Sequence, residues 1–360
     1  MKLKTKPVNV VNIILCSVGA ALLVLSLSLF CCRAETESIT EGVADELLSG
    51  YMREETEPSL PEGAVPIEGI GFTNSSFIRL ACGGTYNVEF ELKPENANET
   101  TLWMNSNPRC IRLSEDGTIT ALSVGESMIS LSPSSEKFRK NALVMVLEPP
   151  PSILNVPYIY QCIDYPNGCE SCSTVMALNY LGIDITTDEF IDNYLDMCEV
   201  PHVDENGVYA GYSQWTHFAG DPRDSSGLCC YAPVIVNALN KFIDTSKYKI
   251  DEMYDVPIED LCAKYITNGI PVVFWATMYM QAPFDMGWSW TVPDTGEIFT
   301  WVAPMHCMLL VGFDDDFYYF NDPVAGKQVA YTKEATETAY EGLFRQAVAI
   351  SPIKNKVNQK

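Results

Sequence analysis

The pattern of apolar and polar positions changes texture three times along the chain. Positions 10–32 carry no charged side chain, and an apolar run of this length matches the ~20 residues that cross a bilayer core. Positions 33–65 are rich in Glu, Ser, Thr and Pro, and predict a solvated acidic linker. Between 66 and 148 short runs alternate apolar and polar: Tyr86–Leu92, Cys110–Leu113, Thr118–Leu122, Ser127–Leu131 and Ala142–Leu147. Turn residues punctuate them at Gly83-Gly84, Asp116-Gly117 and Gly125, so this stretch predicts a small all-β sandwich. Beyond Pro149-Pro150-Pro151 the period changes. Helical spacing appears at Cys169–Leu181, Thr187–Met197, Ala232–Ile243 and Ile258–Asn268. Strand-like runs follow at Pro271–Ala276, His306–Phe313, Phe317–Asn321 and Gln346–Ile350. Helices followed by strands predict an α+β domain over 149–352, with a short tail at 353–360.

Lys2, Lys4 and Lys6 precede the apolar run and acidic residues follow it. The positive-inside rule then places residues 1–9 in the cytoplasm and everything past Arg33 outside. A cleaved signal, giving a secreted protein, is the alternative. Its apolar core is usually shorter, and Leu29-Phe30-Cys31-Cys32 makes a poor small-x-small cleavage site. The expectation is a single-pass membrane anchor.

Charge narrows the partners. Across 360 residues, 47 acidic against 23 basic side chains give a net charge of −24. Residues 149–352 alone hold 8 basic and 28 acidic groups, a net of −20. No basic groove is available for nucleic acid. The thirteen cysteines include no CxxC pair matched by a second, and the three His fall in no zinc-ligand spacing. No metal and no cofactor are expected, and there is no GxxxxGK[ST] loop.

The candidate chemistry lies between Gln161 and Asp322. A Pro166-Asn167-Gly168 turn leads into a helix that Gly182 closes. Cys169 opens that helix, where unsatisfied N–H groups and the dipole favour a thiolate, the nucleophilic form of the side chain. Gln161, eight residues upstream, offers an amide to an oxyanion beside Cys169. His306 begins the run His306–Phe313, and the Asp314-Asp315-Asp316 turn leads into Phe317–Asp322. If these runs form a hairpin, His306 and Asp322 meet at one end, with a parity that allows one face. Asp322 can then orient His306 as in a catalytic triad. Several other residues have plainer readings. Cys162, Cys172 and Cys307 read as packing residues. His202 and His217 lie in a loop-like stretch. The aromatic run Trp275, Tyr279, Trp288, Trp290 and Trp301 divides evenly between core and cleft. Cys82 and Cys110 are an open question as a strand-bridging pair.

Two resemblances follow from these residues. The stretches Trp103–Pro108, Cys110–Leu122 and Val124–Ile129 resemble bacterial immunoglobulin-like domains of group 2, which implies a cell-surface spacer or adhesion module over 66–148 with possible cell-wall contact. The stretches Val156–Gln161, Pro166–Ser173, Leu178–Gly182, Tyr231–Ile235, Pro271–Ala276, His306–Phe313 and Asn321–Gly326 resemble papain-like cysteine peptidases of the bacteriocin-processing, double-glycine-leader type, in their stand-alone secreted branch. That resemblance implies a Cys169–His306–Asp322 triad with Gln161 as oxyanion donor, acting on a peptide or surface protein. A cell-wall amidase or transpeptidase using the same triad, and a non-catalytic adhesion protein, are the competing expectations.

Overall fold

Ten strands hydrogen-bond into one continuous sheet, and the order in which they do so joins the two halves of the sequence. Its order is Tyr248–Tyr254, Gln346–Pro352, Val272–Thr277, Met305–Phe313, Phe317–Asp322, Gly326–Thr332, Phe77–Ala81, Lys140–Leu147, Gly125–Pro133 and Thr101–Asn105. This computed structural model describes residue 60 and residues 63–353. The apolar segment 10–32, nearly all of the 33–65 linker and most of the C-terminal tail lie outside the described residues. Among the described residues no helix is long and apolar enough to cross a membrane.

The central strands Val272–Thr277 and Met305–Phe313 are apolar along most of their length because both of their faces are covered. One face packs on the helix Cys169–Tyr180: Val175, Met176, Val273, Trp275, Cys307, Leu309 and Val311 share a core there. The alternate residues Phe274, Met308, Leu310 and Phe320 point the other way. They meet Leu261 of the helix Ile258–Lys264 and Tyr340 of the helix Lys333–Gly342. The helix Cys169–Tyr180 is buried from Cys169 through Leu178, so it carries no polar stripe. It ends where Gly182 takes φ +78.

Three expected helices stop short. Thr187–Tyr194 is closed by a capping box between Thr186 and Glu189 at its start. It gives way before Met197, which pairs instead in a two-residue parallel strand with Phe218. The helix at Ala232 ends at Asn240. The one at Ile258 ends at Lys264, and a 3-10 turn at Ile266–Asn268 follows.

The N-terminal strands form two layers. Phe77–Ala81, Lys140–Leu147, Gly125–Pro133 and Thr101–Asn105 belong to the large sheet. Facing them are Thr85–Asn87, Thr118–Ala121 and Ile111–Leu113. Ile78, Leu80, Ile119, Ile129, Val144 and Val146 fill the space between. The Tyr86–Leu92 run is not one strand; it breaks between Asn87 and Phe90. Cys82 and Cys110 are separate thiols, each donating to a backbone carbonyl, those of Leu122 and Ser123. The pairing left open by the sequence is therefore absent.

Residues 284–303 form a hairpin, Phe284–Thr291 with Ile298–Ala303, extended by the short strands Tyr209–Ala210 and His202–Val203. Here Trp288, Trp290 and Trp301 cluster, and Trp290 stacks on Phe299 at 4.7 Å. Trp275 and Trp290 are buried, which settles those two in favour of packing.

Candidate active site

The site is built where the helix Cys169–Tyr180 begins and where two neighbouring strands bring His306 and Asp322 together. The approach to the helix is a tight turn. The Gly168 N–H donates to the Tyr165 carbonyl, and a Cβ on Gly168 would lie 2.7 Å from that of Tyr165. Asn167 is tied at both its backbone and side-chain nitrogens, to the carbonyls of Pro222 and Asp224. Cys169 is thereby fixed as the first helical residue, 7% exposed.

The meeting of His306 and Asp322 depends on a β-bulge. At the turn the hairpin pairs Phe313 with Tyr318 and Gly312 with Tyr319. Continued unbroken, that register would set Asp322 opposite Leu309, on the other face from His306. One extra residue between Leu310 and Gly312 resets the pairing to Leu309 with Asn321. Carried one step further, this places Asp322 opposite Met308, on the face of His306. The result is a bond of 2.8 Å between His306 Nε2 and Asp322 Oδ1, with both residues at 1% exposure or less.

Asp322 is held from every side. Oδ1 also accepts the N–H groups of Val324 at 3.0 Å and Ala325 at 3.1 Å, and Oδ2 accepts the Tyr331 hydroxyl at 2.8 Å. Burial raises its pKa, but His306 and these donors outweigh that and hold the carboxyl below its usual value. An ionised carboxylate only accepts, so His306 carries a proton on Nε2, and Nδ1 is the ring nitrogen left for chemistry.

Gln161 is 2% exposed. Its backbone N–H donates to the Pro323 carbonyl, so the segment carrying the amide is tied to the turn carrying Asp322. Its Nε2 donates to the Pro166 carbonyl at 3.1 Å, and its Oε1 is buried without a partner.

The nucleophile's surroundings differ from the expectation of a helix-stabilised thiolate. The Cys169 thiol donates to Glu170 Oε2 at 3.2 Å. Burial first, and then the Glu170 carboxylate, push its pKa well above that of a free cysteine. Glu170 is fully buried, and its Oε1 accepts the Cys230 N–H at 2.7 Å. Burial raises Glu170 to about 7, against the pull of that N–H and of His306. Sequence reasoning passed over Glu170. A glutamate in a first helical turn ordinarily signals a solvated dipole partner, and nothing local marks this one as buried. Tyr331 was missed too, because the strand Gly326–Thr332 was not predicted. Cys172 is buried one turn deeper, its thiol raised to about 12; Cys162 lies 4.0 Å from Glu89.

The family described as Peptidase_C39 like family matches residues 153–348. The uncharacterized protein YvpB of Bacillus subtilis (strain 168) is 28% identical over 198 residues, 53% of this chain and 73% of that protein. A crystal structure of a Bacillus anthracis protein described as a C39-like peptidase is similar at 23% identity and a TM-score of 0.48. That match covers 56% of this chain and 98% of the other. Domains 4 and 5 of the S-layer protein SbsC match 23% of this chain and 54% of theirs, at 17% identity and a TM-score of 0.20.

Proposed function

This chain belongs to the Peptidase_C39 like family, and from that premise we propose that it cleaves peptide bonds by covalent catalysis at Cys169. His306 Nδ1 takes the thiol proton, and the sulfur lone pair attacks the scissile carbonyl. The tetrahedral oxyanion accepts the Cys169 N–H and an N–H of Gln161 Nε2. Collapse breaks the C–N bond, and His306 returns its proton to the leaving amine. Water then attacks the thioester, giving a proton to His306; the C–S bond breaks, the carboxylic acid product leaves, and His306 returns the proton to the sulfur, restoring the thiol. Asp322 holds the Nε2–H tautomer throughout.

The observation that carries this reading is the buried His306–Asp322 pair, whose carboxylate is saturated by four donors. The full chain incubated with a pooled peptide library, read by mass spectrometry, tests it. Cys169→Ala is expected to lower cleavage by about 10³-fold or more; undiminished cleavage removes Cys169 from the mechanism.

The membrane anchor at 10–32 and the extracytoplasmic position of the catalytic region belong to the same proposal, with peptides or surface proteins as substrates and 66–148 as an immunoglobulin-like spacer at the cell wall. The support is the uncharged 23-residue run behind Lys2, Lys4 and Lys6. Membrane-impermeant biotinylation of intact cells should label Lys137 and Lys140. Labelling only after lysis would reverse the orientation.

A further inference from the structure

Among the described residues, Glu170 is the carboxylate that touches the nucleophile, and the mechanism above gives it no part. It is completely buried, and no Lys or Arg among the described residues forms an ion pair with it. The titratable groups around it come from three elements. Its own helix contributes Cys169 and Cys172. The 229–231 segment contributes Cys229, Cys230 and Tyr231. The strand Met305–Phe313 contributes His306 and Cys307. Only His306 of these can become a cation. The segment over Glu170 is itself fixed, since Trp275 Nε1 donates to the Cys230 carbonyl at 2.9 Å.

A charge buried this way is costly, and here it faces the sulfur that must become an anion. Resting on the peptidase reading, we infer that Glu170 is a catalytic residue that governs the ionisation of Cys169: as a carboxylate it keeps the nucleophile a thiol, and on taking up one proton it releases it as a thiolate. The protons balance. In the resting form the thiol keeps its proton, Glu170 is ionised and His306 is neutral. One proton from solvent goes to Glu170, the thiol proton passes to His306 Nδ1, and the product is a thiolate–imidazolium pair beside a neutral acid. Ionised Glu170 also attracts an imidazolium at His306. It shares no hydrogen bond with that ring, whereas it contacts the sulfur directly, so repulsion of the thiolate dominates. Burial raises the Glu170 carboxyl to about 7, so its protonation, which removes the second of the two causes holding the thiol up, falls near neutrality.

The test needs no substrate. The full chain is labelled briefly with iodoacetamide between pH 5 and 9, and the Cys169 peptide is quantified by mass spectrometry. Labelling of the unaltered protein at Cys169 should fall about tenfold between pH 6 and 8, where an ordinary thiol gains reactivity. In Glu170→Gln the fall should vanish, and labelling at pH 8 should rise about tenfold, the equivalent of one pKa unit. A steady rise through pH 6–8 in the unaltered protein, or slower labelling in Glu170→Gln at pH 8, overturns the inference. If that variant does not fold, the unaltered profile decides. His306→Ala separates the two readings: rapid labelling of Cys169 that needs His306 but ignores Glu170 sinks the inference alone. Labelling of Cys169 no faster than the other thiols at every pH sinks the peptidase reading with it.

Discussion

At Asp322 the cost of burying a carboxylate is met by four hydrogen-bond donors, and one of them, the Tyr331 hydroxyl, is a side chain that can be removed without disturbing the backbone. Tyr331 is partly buried, its ring 6.0 Å from that of Phe320, so a phenyl ring fills its place. Tyr331→Phe should lower stability by about 2 kcal/mol, the usual loss for a hydrogen bond to a charged acceptor, as read from the urea midpoint at pH 7. The pH dependence has a definite sign. Asp322 is held below its unfolded value near ~3.9, so its contribution is complete above that pH and fades as acid protonates the folded carboxyl. The gap between the two proteins should therefore narrow below about pH 4. A gap that stays constant into acid would mean that Tyr331 acts by packing alone.

Elements that pack on themselves were the most legible. The runs Pro271–Ala276 and His306–Phe313 read as strands and are found as Val272–Thr277 and Met305–Phe313, and the helix opened by Pro166-Asn167-Gly168 ends within a residue of where Gly182 placed it. Gln161, Cys169, His306 and Asp322 were each nameable from local signals, because turns, helix starts and strand ends are written in short stretches. Much of what was illegible depends on contacts far apart in sequence. The bulge that puts Asp322 on the face of His306 is a single extra residue in an unremarkable Leu310-Val311-Gly312 stretch, and the pairing rather than the composition creates it. The strand Gly326–Thr332 pairs mainly with Phe317–Asp322 just before it and meets Phe77–Ala81 only at Leu80 and Val329; it escaped notice because Gly, Lys, Gln and Thr interrupt its apolar positions. Glu170 looked like a surface residue because the 229–231 segment that covers it is invisible locally.

For the molecule as a whole, the N-terminal strands are part of the structure that holds the site. The described residues from Leu60 onward form one compact unit. The large sheet crosses from one half to the other where Leu80 pairs with Val329. Ala325 and Val329 are buried in the N-terminal core, and Glu89 accepts the Tyr279 hydroxyl at 3.1 Å. The turn after Asp322 is pressed between the halves. Asn87 N–H donates to the Ala325 carbonyl at 2.7 Å, and Gly326 approaches Thr85 so closely that a Cβ would lie 1.9 Å from its carbonyl oxygen. This junction gives the protein a built-in clock. Turn amides ordinarily trade their hydrogens with solvent quickly, but those of Val324 and Ala325 point at a buried carboxylate beneath a layer of another part of the chain. In heavy water they should exchange as slowly as the amides of Leu309 and Leu310 at the sheet's centre. Mass spectrometry of the 322–327 peptide would then time how often the two halves part. Rapid deuteration there, with the central strands still protected, would show that the junction opens without the rest of the molecule unfolding.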